Sequence, residues 1–205
     1  MAKLKAPLLS LGASGALGKT LVYFPWKGID AVREYVVPAN PKTAPQVTQR
    51  GYLTAAVAAI HAAQALAVAP LNAVDISAYA KLGSTFPTPR TWFNTICKEW
   101  IDQYVATLEG AVYRGGAITP GSTQLSVALL VTDAGANAIT AGDYYYGTSP
   151  TALFNTFTAV VASDDLSTVI TGLTAGVKYY LQFRPSAHVD FIGAYSGIYY
   201  GTPTA

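Results

Sequence analysis

The residues closest to a chemical motif form a glycine-rich run, Ala13-Ser14-Gly15-Ala16-Leu17-Gly18-Lys19-Thr20, which fits the loose pattern of a phosphate-binding loop. That chemistry needs a buried strand before the loop and a helix after it, so that backbone amides and a helix N-terminus hold the phosphates. The next residues, Leu21-Val22-Tyr23-Phe24-Pro25-Trp26, read as strand and then a break, so a flexible glycine-rich arm is expected instead. Asp133, closing the run Leu129 to Asp133, could mimic a magnesium-binding strand, but it falls in a region without βα units. His188 and Asp190 could do acid–base work, yet no nucleophile or second base accompanies them. Asp164-Asp165 reads as a solvated turn pair, without the further oxygen ligands calcium needs. Cys97, His61 and His188 lack zinc-ligand spacing, and a lone cysteine closes no internal disulfide. No catalytic, cofactor or metal residue is assigned, no cofactor is implied, and a non-enzymatic protein is expected.

What remains is the placement of charge. The 205 residues carry a formal net charge of only +2, but residues 1–50 hold seven basic against two acidic side chains, and residues 116–205 hold two basic against five acidic. The basic head is interleaved with aromatics, and Tyr23, Trp26, Lys27, Arg33 and Tyr35 are the expected interface residues, since aromatics and arginine are favoured at the centres of protein interfaces. Lys3, Lys5, Lys27 and Arg33 could instead contact the phosphates of a nucleic acid. The composition, 51% hydrophobic and 12% charged, is too apolar for a disordered chain and suits a subunit of a permanent assembly.

These residues need elements to position them. Lys19 to Phe24 and Ala31 to Val37 are β-branched or aromatic runs separated by Pro25-Trp26-Lys27-Gly28-Ile29-Asp30, which predicts a hairpin with an irregular loop. Thr43 as N-cap, Pro45 in the first turn and Gln46 at the capping-box position start a helix reaching about Ala67, with Tyr52, Ala56, Ala59, Ile60 and Ala63 on one face. A short helix follows from Val74 to Leu82, closed by Gly83. A third starts at Thr88-Pro89-Arg90, with Trp92, Phe93, Ile96, Cys97, Trp100, Ile101, Tyr104 and Val105 as its apolar stripe. After Gly110 the pattern turns to short strands over 123–131, 143–147, 154–162, 167–170, 178–184 and 194–200, with alternation at Leu125, Val127, Leu129 and Val131. No window offers the roughly 18 apolar residues of a membrane helix. The N-terminus has too short an apolar stretch for a signal peptide.

Thr171-Gly172-Leu173-Thr174-Ala175-Gly176-Val177-Lys178-Tyr179-Tyr180-Leu181-Gln182-Phe183 resembles the corner between the fifth and sixth strands of a fibronectin type III domain, and Tyr146-Gly147-Thr148-Ser149-Pro150-Thr151-Ala152-Leu153 resembles a strand end of the same family. The resemblance implies an immunoglobulin-like sandwich in which Leu173, Gly176 and Tyr179 define the fold, Tyr179 as the corner tyrosine with its hydroxyl on nearby backbone. Ala175 stands where that family usually has proline. Ser14-Gly15, Gly18-Lys19, Trp26-Lys27-Gly28, Arg33 and Asn40-Pro41-Lys42-Thr43, with Gln46, Gln49 and Arg50 ahead of the alanine-rich helix, resemble small virion structural proteins of tailed bacteriophages and prophages.

The expected fold is α+β and multidomain: an extended basic arm with a β-hairpin (1–42), a small three-helix domain (43–112), a linker (113–117) and a fibronectin type III-like β-sandwich (118–205). The expected function is that of a structural subunit of a phage-like virion, made in the host cytoplasm, a capsid decoration, neck or tail accessory that assembles with itself and other virion proteins through its arm. The alternatives are a surface ligand or glycan-binding module using the loop from Ser186 to Ile192, and a DNA-contacting packaging protein.

Overall fold

The computed structural model describes residues 3–4, 14–40, 42–133, 137–186 and 189–205. The chain is α+β and divides into two compact units, Met1–Thr43 and Ala44–Ala205. The first unit is an antiparallel sheet of β1 (Lys3–Leu4), β2 (Gly15–Leu17), β3 (Leu21–Trp26) and β4 (Ile29–Glu34), in the order β1-β4-β3-β2. The sequence predicted only the central hairpin. The glycine-rich run adds β2, and Lys3–Leu4 pair with Ala31 and Asp30.

The second unit opens with α1 (Ala44–Ala65), α2 (Ala73–Thr85) and α3 (Trp92–Val105). Ala56, Ile60 and Ala63 are the buried side of α1, as their spacing predicts, and the Tyr52 ring sits 5.4 Å from that of Tyr104 on α3. The start of α2 is a reciprocal cap. Asn72 Oδ1 accepts from the N–H groups of Val74 and Asp75, and the Asp75 carboxylate accepts from Asn72 N–H at 2.9 Å. Gly83 does not end this helix. It is buried inside α2, where a Cβ would lie 2.6 Å from Arg90 O, so its smallness serves the approach of the next segment. Likewise α3 begins at Trp92 and not at Thr88, because the Thr91 hydroxyl accepts from Asn94 N–H. Its buried side holds Ile96, Cys97 and Trp100 but also Thr95 and Gln103, while Val105 is exposed.

Two antiparallel sheets follow. One has the order β5-β6-β9, from β5 (Ala111–Gly121), β6 (Gln124–Asp133) and β9 (Thr168–Ile170). The other has the order β11-β10-β7-β8, from β7 (Gly142–Gly147), β8 (Asn155–Ala159), β10 (Tyr179–Pro185) and β11 (Tyr199–Gly201). Leu125, Val127, Leu129 and Val131 are all buried, as their alternation requires. The two sheets share an aromatic cluster: the Phe183 ring on β10 lies 6.1 Å from Tyr113 on β5 and 5.3 Å from Tyr144 on β7. The expected strand 194–200 is shortened to 199–201. Before it, Ser196 replaces the ladder with its own groups, its N–H donating to Phe183 O and its hydroxyl accepting from Phe183 N–H at 2.8 Å.

Residues 113–117, read from the sequence as a linker, lie inside β5. Arg114-Gly115-Gly116 form a bulge at which the register against β6 shifts between Arg114 and Ala117. The glycines are there for approach, not for flexibility: a Cβ on Gly116 would meet Asp75 Oδ1 at 2.4 Å and the Tyr199 ring at 2.5 Å. Helices and sheets are joined at this point. Asp75 Oδ1 accepts from Gly116 N–H and from the Tyr199 hydroxyl, the Tyr79 hydroxyl accepts from Tyr113 N–H, and Ile198 N–H donates to Ala78 O. One buried cluster runs from Ile60 and Trp100 through Tyr113 to Leu181 and Phe183. The boundary of the second unit therefore falls at residue 44, and α1 to α3 share the core of the sheets.

Candidate interface of the N-terminal sheet

The glycine-rich run folds as a hairpin. Thr20 N–H donates to Leu17 O at 3.0 Å, and Gly18 and Lys19 both have positive φ, 56° and 57°. Leu17 pairs with Leu21, so Gly18, Lys19 and Thr20 make a tight three-residue connection between the strands. No helix follows it, so the phosphate cradle is not built and Lys19 sits exposed at a turn. The second turn is tight as well, where an irregular loop was expected: Trp26 pairs with Ile29 across Lys27 (φ 50°) and Gly28 (φ 76°). Pro25 is accommodated in β3 because β2 pairs only as far as Tyr23, which leaves β3 an edge strand at that point. Each turn carries a lysine, Lys19 or Lys27, at its tip.

Alternation sorts the expected interface residues. Trp26 lies on the face shared with Val22, Phe24, Ile29, Ala31 and Arg33, and the Arg33 guanidinium sits 5.3 Å from the centre of the Phe24 ring. Tyr35 continues the same alternation, its N–H donating to Thr20 O at 2.8 Å. Trp26 is 56% exposed and Tyr35 37%. Tyr23 is corrected: at 9% exposure it faces the other way and anchors the sheet, so it is not an available contact. Tyr23 and Ala31 are the only buried side chains among the described residues of this sheet, while Leu17, Leu21, Trp26, Ile29, Tyr35, Val36 and Val37 stay exposed. Phe24, whose ring the Arg33 guanidinium approaches, lies on this face too, a residue the sequence reading did not name. The alternation of β3 against β4 is the signal that could have found it. Of the basic residues proposed for nucleic acid, Lys27 and Arg33 are exposed here, Lys3 enters β1, and Lys5 lies outside the described residues.

A second concave feature belongs to the other unit. A cleft of about 530 Å³ lies between α3 and β10, with Lys98, Glu99, Asp102, Gln182, Arg184 and Tyr195 among its walls. Arg184 is held between two rings, 4.1 Å from the centre of Tyr145 and 4.9 Å from that of Tyr195, and its Nε donates to Gln182 Oε1. Lys98 pairs with Asp102. Burial pushes the Glu99 carboxyl up from its ordinary value, and Lys98 opposes that shift only in part.

Asp164 Oδ1 accepts from Ile139 N–H at 2.8 Å and Asp165 Oδ1 from Ser167 N–H, so this pair holds a turn and is not merely solvated. His188 lies outside the described residues. Asp190 accepts from Asn137 Nδ2 and its carbonyl from Glu109 N–H, which ties the expected ligand loop to the segment after α3. His61 is exposed on α1, and Cys97 is buried, with burial pushing its thiol up. Leu173 is buried, Gly176 has φ 76°, and the Tyr179 hydroxyl accepts from Thr174 N–H at 3.2 Å. Among the described residues no three His, Cys, Asp or Glu side chains come together as metal donors, and no helix is long and apolar enough to cross a membrane. Compared with known protein families, curated proteins and solved structures, the chain matches none of them.

Proposed function

We propose that this chain is a non-enzymatic structural subunit of a phage-like virion, a capsid decoration, neck or tail accessory, that docks onto copies of itself and other virion proteins through its N-terminal sheet. The observation that carries the reading is the imbalance of that unit, which is separate from the main core: among its described residues two large or apolar side chains are buried, against four exposed large apolar ones on the strands and three more, Tyr35 to Val37, just after β4. Exposed apolar surface of this kind marks a site of protein association. The face bearing Phe24, Trp26, Arg33 and Tyr35 has the aromatic and arginine content of an interface centre. Placement in the virion also follows the bacteriophage resemblance of residues 10–105. The fibronectin type III-like sandwich is part of the proposal: seven strands in sheets of three and four, with Tyr179 at the start of the sixth bonded back to Thr174, support it. Light-scattering mass on a sizing column tests the docking role. The full chain is expected to form oligomers of defined mass, and the triple variant Trp26→Ala, Arg33→Ala, Tyr35→Ala to run as a smaller species with an unchanged melting temperature. An equal mass for both proteins would overturn this reading.

The cleft favours a second reading, a module that binds a surface glycan. An exposed tyrosine beside carboxylates, an amide and a guanidinium can stack on a sugar ring and bond its hydroxyls. On a glycan array this reading expects binding by the full chain that Tyr195→Ala abolishes, and no binding by the full chain would dismiss it.

A further inference from the structure

The two sheets of the second unit expose four edges, and three of them are protected. The β9 edge is three residues long. The β11 edge is as short, and Lys178 Nζ lies 4.0 Å from the centre of its Tyr200 ring. The β5 edge is bulged at Arg114 to Ala117, and α2 occupies it, Tyr79 and Asp75 taking the N–H groups of Tyr113 and Gly116. These are the usual devices that stop a strand from recruiting another chain.

The fourth edge, β8, has none of them. It stands at the end of its sheet, and the run Phe154-Asn155-Thr156-Phe157-Thr158-Ala159-Val160-Val161 contains no charge, proline or glycine. Phe154 and Val160, at 86% and 88% exposure, are the two most exposed large apolar side chains among the described residues, and they flank this one strand. We propose that β8 pairs antiparallel with β8 of a second copy of this chain about a two-fold axis at Phe157, joining two four-stranded sheets into one of eight.

The occupant follows from the chemistry of the run, which reads nearly the same in both directions. About Phe157 the pairing sets Phe154 against Val160 of the other copy, Thr156 against Thr158, Asn155 against Ala159, and Phe157 against itself. A two-fold interface needs such self-complementarity. Aromatic pairs, Thr–Thr pairs and aromatic–β-branched pairs are also the favourable cross-strand neighbours. Phe157 already packs on the core from the inner side, so its self-pair extends the apolar layer across the axis. The contact is small beside the ~1,600 Å² of a standard interface, and it gains strength where copies are already held side by side. It does not rest on the N-terminal sheet.

Cross-linking in the full chain tests both contact and register. In this pairing residue 154 faces residue 160, whereas the two copies of residue 154 lie about 20 Å apart along the strands. Phe154→Cys and Val160→Cys chains, mixed and oxidised, are expected to give a disulfide-linked mixed dimer, and neither variant alone to give one. Cys97 is buried and does not compete. In sedimentation, F154K/V160K sets lysine against lysine and is expected to lose this dimer, while F154K/V160E sets lysine against glutamate and is expected to keep it. Both positions are exposed, so unchanged melting temperatures are expected to accompany these results. Absence of the mixed cross-link, cross-linking of either variant alone, or loss of the dimer in F154K/V160E as well would overturn self-pairing in this register and assign the edge to another strand.

Discussion

Replacing Asp75 by alanine is expected to remove about 3–5 kcal/mol of folding stability. Asp75 is fully buried, and its two oxygens accept from Asn72 N–H at 2.9 Å, Gly116 N–H at 2.9 Å and the Tyr199 hydroxyl at 2.7 Å. Alanine leaves all three donors without their acceptor in a space water does not reach, and each orphaned group costs about 1–3 kcal/mol. The Tyr199 phenol remains a donor throughout, because burial pushes it well above its ordinary value. Burial also pushes the Asp75 carboxyl up, and the donors pull it back only in part. A carboxyl raised in the folded state holds its proton there longer than in the unfolded chain. Its contribution is therefore complete below the ordinary carboxylate range and is lost as pH rises through the raised value. Asp75→Asn keeps an acceptor and has nothing to titrate. Its deficit against the wild type is expected to be smaller than that of alanine, largest in acid, and to shrink as pH climbs through that window. Urea midpoints for the three proteins across a pH series measure both effects, and a loss below about 1 kcal/mol for alanine would mean the three bonds do not hold the helices to the sheets.

Local periodicity was legible in the sequence because one element's own geometry decides it. The alternation of Leu125 to Val131 identified a buried strand face, and Ile96, Cys97 and Trp100 lie on the buried side of α3 where their spacing put them. Trp26, Arg33 and Tyr35 share a face for the same reason. What escaped the sequence is contact between distant segments. Gly115-Gly116 has the composition of a linker, and only the approach of Asp75, 41 residues away in the chain, explains why no side chain fits there. Gly83 looked like a helix end because glycine often is one, whereas here it makes room for Arg90. The burial of Tyr23 and the cleft walled by Glu99, Arg184 and Tyr195 depend likewise on which segments meet. Pro25 hid the tight turn two residues on, because its tolerance in β3 depends on how short β2 is.

A chain beginning at Ile118 is expected not to fold, whereas one beginning at Ala44 keeps a single cooperative unfolding transition. Starting at 118 removes the first half of β5, including Val112 and Tyr113, both fully buried, together with every helix. Phe183 then loses the Tyr113 ring, Ala194 O loses the Tyr113 hydroxyl, and Tyr199 loses Asp75. Each large apolar side chain taken from this cluster withdraws about 1.5–3 kcal/mol. Ile60, Ile96, Trp100, Val112 and Tyr113 together are comparable to the roughly 5–15 kcal/mol by which an ordinary domain is stable. Starting at Ala44 removes only the separate N-terminal unit. Circular dichroism and calorimetry of both fragments decide the matter, with agreement between calorimetric and van't Hoff enthalpies as the mark of one cooperative unit in the longer one. A folded 118–205 fragment would make the helices an appendage and the sheets a domain in their own right. An unfolded one would mean that α1 to α3 and these sheets fold as one cooperative piece, with the N-terminal sheet a separate unit.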